Sequence, residues 1–188
     1  DFSRLDRAPV ASFDVNAGEI FGIVGGSGSG KSVLLKTMLG LRKPDSGVVE
    51  VEGRDLTCMS DRELRAVKQR YGVTFQHGAL FTSLTVTENV IMQLVELLEL
   101  DESTLKSLAE LRLRMVSLPV EAGAKFPAQL SGGMIKRAAL ARALALDPTP
   151  LFLDAPTAGL DPIAATAFDD LVLYLRPALG LAVATVTH

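Results

Sequence analysis

The sequence predicts an α/β protein: a parallel sheet covered by helices, with a small antiparallel β region and an inserted helical region. The first observation is a strand–turn–helix pattern that repeats along the 188 residues. The second is three short apolar runs, at 19–24, 149–154 and 180–187, which are typical of parallel strands buried on both faces. The third is helical apolar spacing within 77–130, between two sheet-forming halves.

The composition fits one domain with a real core and no general affinity for nucleic acid. Hydrophobic residues make up 48% of the chain, and the net charge of -3 argues against a nucleic-acid-binding face. The one cysteine, Cys58, excludes an internal disulfide and fits a reducing compartment. Residues 1–7 carry no secretory signal, and no apolar run approaches the ~20 residues that span a bilayer. If the protein works at a membrane, we expect another chain to cross it.

A glycine-rich loop with the pattern G-x-x-x-x-G-K-[ST] follows the first expected strand. Its residues are Gly25, Gly26, Ser27, Gly28, Ser29, Gly30, Lys31 and Ser32. Such a loop points several backbone N–H groups at one anion, and the helix expected at 33–41 directs its positive end to the same place. Lys31 is expected to reach the β- and γ-phosphates, and the Ser32 hydroxyl to ligate Mg²⁺. The sequence therefore predicts a site for a nucleoside triphosphate.

Turns and caps bound the next elements. We expect antiparallel strands at 10–15 and 47–53, and capping boxes at 60–63 and 85–88 each predict the start of a helix.

Helical spacing continues at 89–100 and 103–118. We interpret 77–130 as an inserted helical subdomain; the alternative is that these helices simply cover the sheet.

Two features of the second half carry chemistry. The strand at 149–154 ends in Asp154, a carboxylate placed to complete an Mg²⁺ site with Ser32.

Residues 131–133 read Ser-Gly-Gly and precede a helix expected at 135–146. A helix start of this kind can bind an anion, which suggests that two copies of the chain meet over shared nucleotides. The alternative is an ordinary N-cap made by the serine.

The order and spacing of the motifs resemble the ATP-binding subunits of ABC transporters. The motifs lie at 25–32, 73–76, 130–134, 151–154, 158–161 and 187–188. The sequence FQHGALF at 75–81 and a signature that reads Ser-Gly-Gly-Met are similar to the ATPases of bacterial Mla/Mce-type lipid transport systems. The resemblance implies a RecA-like P-loop NTPase core formed by 1–76 and 131–188, with 77–130 as the helical subdomain.

The resemblance also implies roles for residues around the nucleotide, which would be ATP with Mg²⁺. Gln76 resembles the glutamine that senses Mg²⁺ and the γ-phosphate, beside Ser32 and Asp154. His188 resembles the histidine that donates to the γ-phosphate. Phe2 lies where such proteins place an aromatic ring against the adenine; the alternative is that Phe2 is a packing residue.

The implied partners are a second copy of the chain and a transmembrane permease subunit, with periplasmic lipid-binding components as indirect partners. The chain would then lie on the cytoplasmic face of the bacterial inner membrane. The residues implied at the dimer seam are Ser131, Gly132, Gly133 and Asp161. The residues expected to form the docking cleft for the permease are Leu80, Phe81, Leu84 and Val86; the alternative is that these side chains are buried between the two subdomains.

The chain departs from the family at the position after Asp154, where the family has a glutamate that polarises the attacking water. Here the residue is Ala155, whose methyl group cannot accept a proton. We therefore expect MgATP binding and dimer closure with very slow hydrolysis. Ala155 is either an introduced substitution that traps the ATP-bound state or a natural residue.

A second departure is that the family usually continues past the position of His188, so we expect a trimmed domain.

Two other functions remain open. One is a soluble ATPase of the same group that acts on DNA, ribosomes or protein complexes; the acidic balance and the lack of a long coiled-coil insertion argue against it. The other is a binding-only protein that uses ATP to hold a dimer together.

Overall fold

The computed structural model describes residues 12–26 and 28–187, which form a parallel sheet with helices packed against it. The strands are β1 (Ile20–Val24), β2 (Glu50–Val51), β3 (Arg54–Asp55), β4 (Gly72–Thr74), β5 (Pro150–Asp154) and β6 (Ala182–Thr187). The main sheet has the order β1-β6-β5-β4, and each neighbouring pair is parallel. The expected α/β class is confirmed, and strands form at all three expected places. Strands β5 and β6 are largely buried as expected, but β1 lies at the edge of the sheet and buries only Ile23.

Strand β4 was not predicted, because its three residues are too few to show an apolar pattern. It packs tightly against the end of the helix that precedes β5. A Cβ on Gly72 would lie 2.7 Å from the carbonyl oxygen of Ala143 and 2.8 Å from a methyl group of Leu151. Glycine is therefore required at Gly72, because any side chain would push β4 off its neighbours.

The antiparallel region is smaller than expected. Instead of a strand over 47–53, the chain forms the two-residue strands β2 and β3, paired in a hairpin. The strand expected at 10–15 is not formed at 12–15, and residues 10 and 11 lie outside the described part.

Six α-helices occur in the described part of the chain. They are α1 (Lys31–Met38), α2 (Asp61–Lys68), α3 (Val86–Leu97), α4 (Glu102–Met115), α5 (Gly132–Ala143) and α6 (Pro162–Leu179). Both capping boxes are confirmed: Ser60 and Thr85 each exchange bonds with the glutamate three residues later. Helices α1 and α5 begin before the positions 33 and 135 that we expected. The lysine and glycines taken for loop residues form their first turns, and α6 was missed altogether.

Helices α3 and α4 share a buried cluster with the sheet. The cluster includes Val90 on α3, Leu113 on α4, Leu140 on α5 and Leu151 on β5. The helices therefore pack against α5 and contribute to the same core as β5 and β6. The division at 77–130 into a separate subdomain stays a prediction.

One residue expected in the docking cleft is not at the surface. Val86 is completely buried in the cluster shared with β5, because it opens the first turn of α3 on the face that meets α4 and α5. Phe81, by contrast, is half exposed, and Leu80 and Leu84 are half-buried.

The loop before α3 is held by one buried amide. Asn89 is fully buried; its Oδ1 accepts a hydrogen bond from the N–H of Phe81 at 2.8 Å. Its Nδ2 donates to the carbonyl oxygens of Phe81, Leu84 and Thr85. The amide thus satisfies backbone groups that the turn would otherwise leave unpaired.

Substitution Asn89→Leu is expected to lower the free energy of unfolding by about 2–4 kcal/mol, because it leaves these backbone groups buried without partners. The measurement is urea unfolding followed by circular dichroism. The control is Gln93→Leu on the exposed side of the same helix, for which we expect a change within about 0.5 kcal/mol. Equal stability of the two variants would show that the amide does not hold the loop.

Candidate nucleotide site

The parallel register brings the predicted motifs to one edge of the sheet. Val24 pairs with Thr187, Asp154 with Val186, and Thr74 with Leu153. Because the strands are parallel, the segments that follow β1, β4 and β5 all leave the sheet at its carboxyl edge. The glycine-rich loop, the segment at Gln76 and the Asp154–Ala155 pair therefore share that edge.

The glycine-rich loop has the backbone shape that an anion cradle needs. Gly28 and Gly30 have φ values of 78° and 88°, in the left-handed region that favours glycine. Gly30 is the N-cap of α1, and no side chain caps that helix. The first N–H groups of α1 therefore keep their donors for a ligand, and the first turn holds no acidic residue that would repel an anion.

The Lys31 side chain folds back against the glycine-rich loop that precedes it. Its side chain is 5% exposed, and its ammonium group donates to the carbonyl oxygens of Gly25 and of Gly26, the latter at 2.8 Å. A Cβ on Gly26 or Gly28 would meet nothing within 4 Å, so open space lies over the loop. Free N–H donors, a buried ammonium and open space together fit the polyphosphate of a nucleotide.

The oxygen donors expected for Mg²⁺ lie at the same edge of the sheet as this loop. Asp154 is half-buried at the end of β5, and Ser32 is exposed in the first turn of α1, which contacts β5 and β6. Gln76 is exposed just after β4. Among the described residues no three carboxylate, histidine or cysteine side chains form a metal cluster. A single carboxylate with a hydroxyl and an amide suits Mg²⁺, which takes most of its other ligands from phosphate and water.

Ala155 occupies a strained and enclosed position next to Asp154. Its φ is 43°, it is 3% exposed, and its N–H donates to the carbonyl oxygen of Val186 at 2.9 Å. The backbone turns sharply away from β5 here, so the side chain at 155 is fixed in direction. A non-glycine residue at positive φ is a typical sign of a functional turn.

Two cations of α5 bind the segment after β4, and sequence reasoning missed both. The ammonium group of Lys136 donates to the carbonyl oxygens of Gln76 and Ala155, the latter at 3.2 Å. The guanidinium of Arg142 donates to the carbonyl oxygens of Gly78 at 2.9 Å and Ala79 at 2.7 Å. Burial lowers the pKa of Lys136, an effect that the nearby charge of Asp154 opposes. The available signal was the presence of three cations, Lys136, Arg137 and Arg142, in the otherwise apolar stretch at 135–146.

The residues expected at the dimer seam lie at two adjacent helix starts. The Ser131 hydroxyl accepts from the N–H of Met134 at 3.3 Å, and an Asp161 carboxylate oxygen accepts from the N–H of Ala164 at 2.9 Å. A Cβ on Gly132 would lie 3.7 Å from Leu160, so the two helix starts pack together. Ser131 is thus an N-cap, as the alternative interpretation of the sequence predicted. Its contact with a partner's nucleotide stays a prediction, as does the role of Gly133.

Three predicted site residues lie outside the described residues: Phe2, Ser27 and His188. Their roles stay predictions.

A family comparison agrees with this arrangement. Residues 10–158 match the family model described as ABC transporter. The chain belongs to the ABC transporter family. ATP-binding domains of this family bind ATP with Mg²⁺, which confirms the expected cofactors, and they dimerise and pair with transmembrane permease subunits.

Three relatives show how widely the family's named cargoes vary. The chain is 40% identical over 189 residues to the intermembrane phospholipid transport system ATP-binding protein MlaF of Haemophilus influenzae, covering 100% of this chain and 71% of that protein. It is 43% identical over 177 residues to the methionine import ATP-binding protein MetN of Geobacillus kaustophilus. It is 38% identical over 177 residues to a probable ribonucleotide transport ATP-binding protein, mkl, of Mycobacterium leprae. The last two matches each cover 94% of this chain and 51% of the relative, so the chain spans about half of their length.

A solved structure confirms the fold. The ATP-binding cassette MJ0796, solved as a dimer in a post-hydrolysis state bound to ADP and Pi, superposes with a TM-score of 0.85 at 33% identity. The match covers 94% of this chain and 77% of that chain. No helix in residues 12–26 and 28–187 is long and apolar enough to cross a membrane.

Substitution Lys31→Met is expected to weaken ATP binding about 100-fold, because it removes the one charged side chain that the loop encloses. The measurement is a titration with a fluorescent ATP analogue. The matched control is Lys36→Met in the last turn of α1, an exposed lysine on the same helix, which should bind within about twofold of the parent chain. Equal binding by both variants would place the nucleotide elsewhere.

Proposed function

We propose that this chain is the ATP-binding subunit of a transporter that moves phospholipid or a related lipid within the bacterial envelope. The 25–32 loop, Gln76 and Asp154 lie at one edge of the sheet. This observation carries the ATP-binding part of the proposal. The phospholipid part is supported by the relative MlaF, which matches over 100% of this chain and 71% of its own length. The sequence FQHGALF and the Ser-Gly-Gly-Met signature point the same way.

The chain would work as a head-to-tail homodimer. The loop at 25–32 of one copy would hold the phosphates, and residues 131–133 of the other copy would close over them. The exposed position of Ser131 and Gly132 supports this, because both residues face solvent instead of the core. Asp161 lies beside them at the start of α6 and would belong to the same seam.

Closure would be passed to a permease through the surface after Gln76. Phe81 is 50% exposed and Leu80 and Leu84 are half-buried, so an apolar contact surface is available there. With the permease in the membrane, the chain would sit peripherally on its cytoplasmic face. Periplasmic lipid-binding components would be reached only through the permease.

ATP bound at this site would be hydrolysed slowly. Asp154, Ser32 and Lys31 remain for binding, but the side chain after Asp154 is the Ala155 methyl group. A positioned general base is worth ~10²–10⁴-fold in rate. Ala155 is then either an introduced residue that traps the closed dimer, which the intact surroundings favour, or the native residue of a subunit driven by binding and exchange.

Two other functions use the same site. A soluble ATPase acting on nucleic acid or ribosomes would need a partner surface that the acidic chain does not offer. Methionine as the cargo is favoured by the 43% identity to the import protein MetN.

Purifying the chain with its membrane partner from the source bacterium and extracting bound lipid tests the cargo. Phospholipid above the level of a detergent-matched control is expected. Stimulation of ATP turnover by methionine without bound lipid would contradict the lipid proposal.

Substitution Ala155→Glu is expected to raise ATP turnover by at least about 100-fold, because it supplies a carboxylate at a position fixed by the backbone. The measurement is phosphate release at saturating MgATP. The control is Ala155→Gln, which has the same shape without the base and should stay within about threefold of the parent chain. Tight ATP-dependent dimerisation without any gain for glutamate would favour the binding-only function.

A further inference from the structure

Lys136 is a buried cation without an acidic side chain to bond. It is 7% exposed, and the two ion pairs found in the described part of the chain, Arg70–Glu52 and Arg112–Asp147, do not include it. Its hydrogen bonds go to two backbone carbonyl oxygens, of Gln76 and Ala155. Burying an ammonium group costs free energy, so its retention calls for a role beyond packing.

The two carbonyl groups belong to the segments that border the nucleotide site. Gln76 follows β4 and Ala155 follows β5, and these two strands are neighbours in the sheet. The ammonium group therefore bridges the two segments at the carboxyl edge. It also connects both segments to α5. The N-cap of α5 is Ser131, which we expect at the dimer seam.

The rest of the segment after Gln76 is fastened to the same helix. Arg142 binds the carbonyl oxygens of Gly78 and Ala79. Gly78 lies directly on α5, where a Cβ would approach a methyl group of Ile135 to 2.9 Å. The carbonyl groups of Gln76, Gly78 and Ala79 thus accept hydrogen bonds from α5. Of the two cations, Lys136 is the one that also bonds to Ala155.

We propose that Lys136 is a positioning residue that makes α5 move as one body with Gln76 and Ala155. A change in the nucleotide site of one copy would then reach Ser131, the group offered to the nucleotide of the partner. This inference rests on the proposed head-to-tail dimer for its functional consequence, while the fastening itself is a property of the single chain.

The bridge depends on donors and not on side-chain volume. Methionine at 136 would fill a similar volume but leave the two carbonyl groups without their donor. Arginine keeps several N–H donors and should restore the bridge. Arg137→Met is the matched control. Arg137 is the next residue of α5, and it donates to the carbonyl oxygen of Val116, away from the nucleotide site.

The first test is hydrogen exchange of the nucleotide-free chain, read by mass spectrometry on peptides that cover 75–81 and 155–160. Lys136→Met should raise exchange in both peptides about tenfold, while Lys136→Arg and Arg137→Met stay within about twofold. Peptides from α1 should not change in any variant. If Lys136→Met does not fold, Lys136→Leu, which also lacks an N–H donor, replaces it with the same expected direction. Unchanged exchange at 75–81 would overturn the proposal.

The second test is ATP-dependent dimerisation, measured by sedimentation. Lys136→Met should bind ATP as a monomer within about threefold of the parent chain, but need about tenfold more MgATP to dimerise. Lys136→Arg should recover most of that loss, which a purely structural defect would not predict. Parent-like dimerisation of Lys136→Met would overturn the coupling. A parent chain that binds ATP without dimerising would instead overturn the proposed dimer, and the exchange result would still decide the bridge.

Discussion

The parallel pairing of β1, β6, β5 and β4 is the constraint on which the rest of the molecule depends. In a parallel sheet all carboxyl ends lie on one edge, so the chain can collect residues that are far apart in sequence without long loops. Here that edge receives the loop after Val24, the segment after Thr74 and the turn at Ala155. Segments separated by more than a hundred positions in the sequence therefore leave the sheet at the same edge.

Helix α5 is the second organising element, since it is buried along most of its length and still carries two cations. Its apolar face contributes Leu140 to the main core. Lys136 and Arg142 donate hydrogen bonds to backbone carbonyl groups of the segment at 76–79 and of Ala155. A loop that would otherwise be held by few contacts is thus fixed to the most buried helix of the fold.

Much of the fold and the core of the site follow from local sequence signals. The loop at 25–32, the capping boxes at Ser60 and Thr85 and the apolar runs of β1, β5 and β6 are short-range patterns with direct physical causes. Strand β4 could not be found this way, because its position is set by contact between Gly72 and the end of α5. The contacts of Lys136 span 60 residues to Gln76 and 19 to Ala155, so no local pattern reveals them.

The measurement that tests the central claim most directly is a crystal structure of the chain with MgATP. The account predicts two copies related by a twofold axis, with each γ-phosphate held between Lys31 of one copy and Ser131 of the other. Lys136 should remain bonded to the carbonyl groups of Gln76 and Ala155. Nucleotide bound by a single copy, with Ser131 facing solvent, would contradict the shared site.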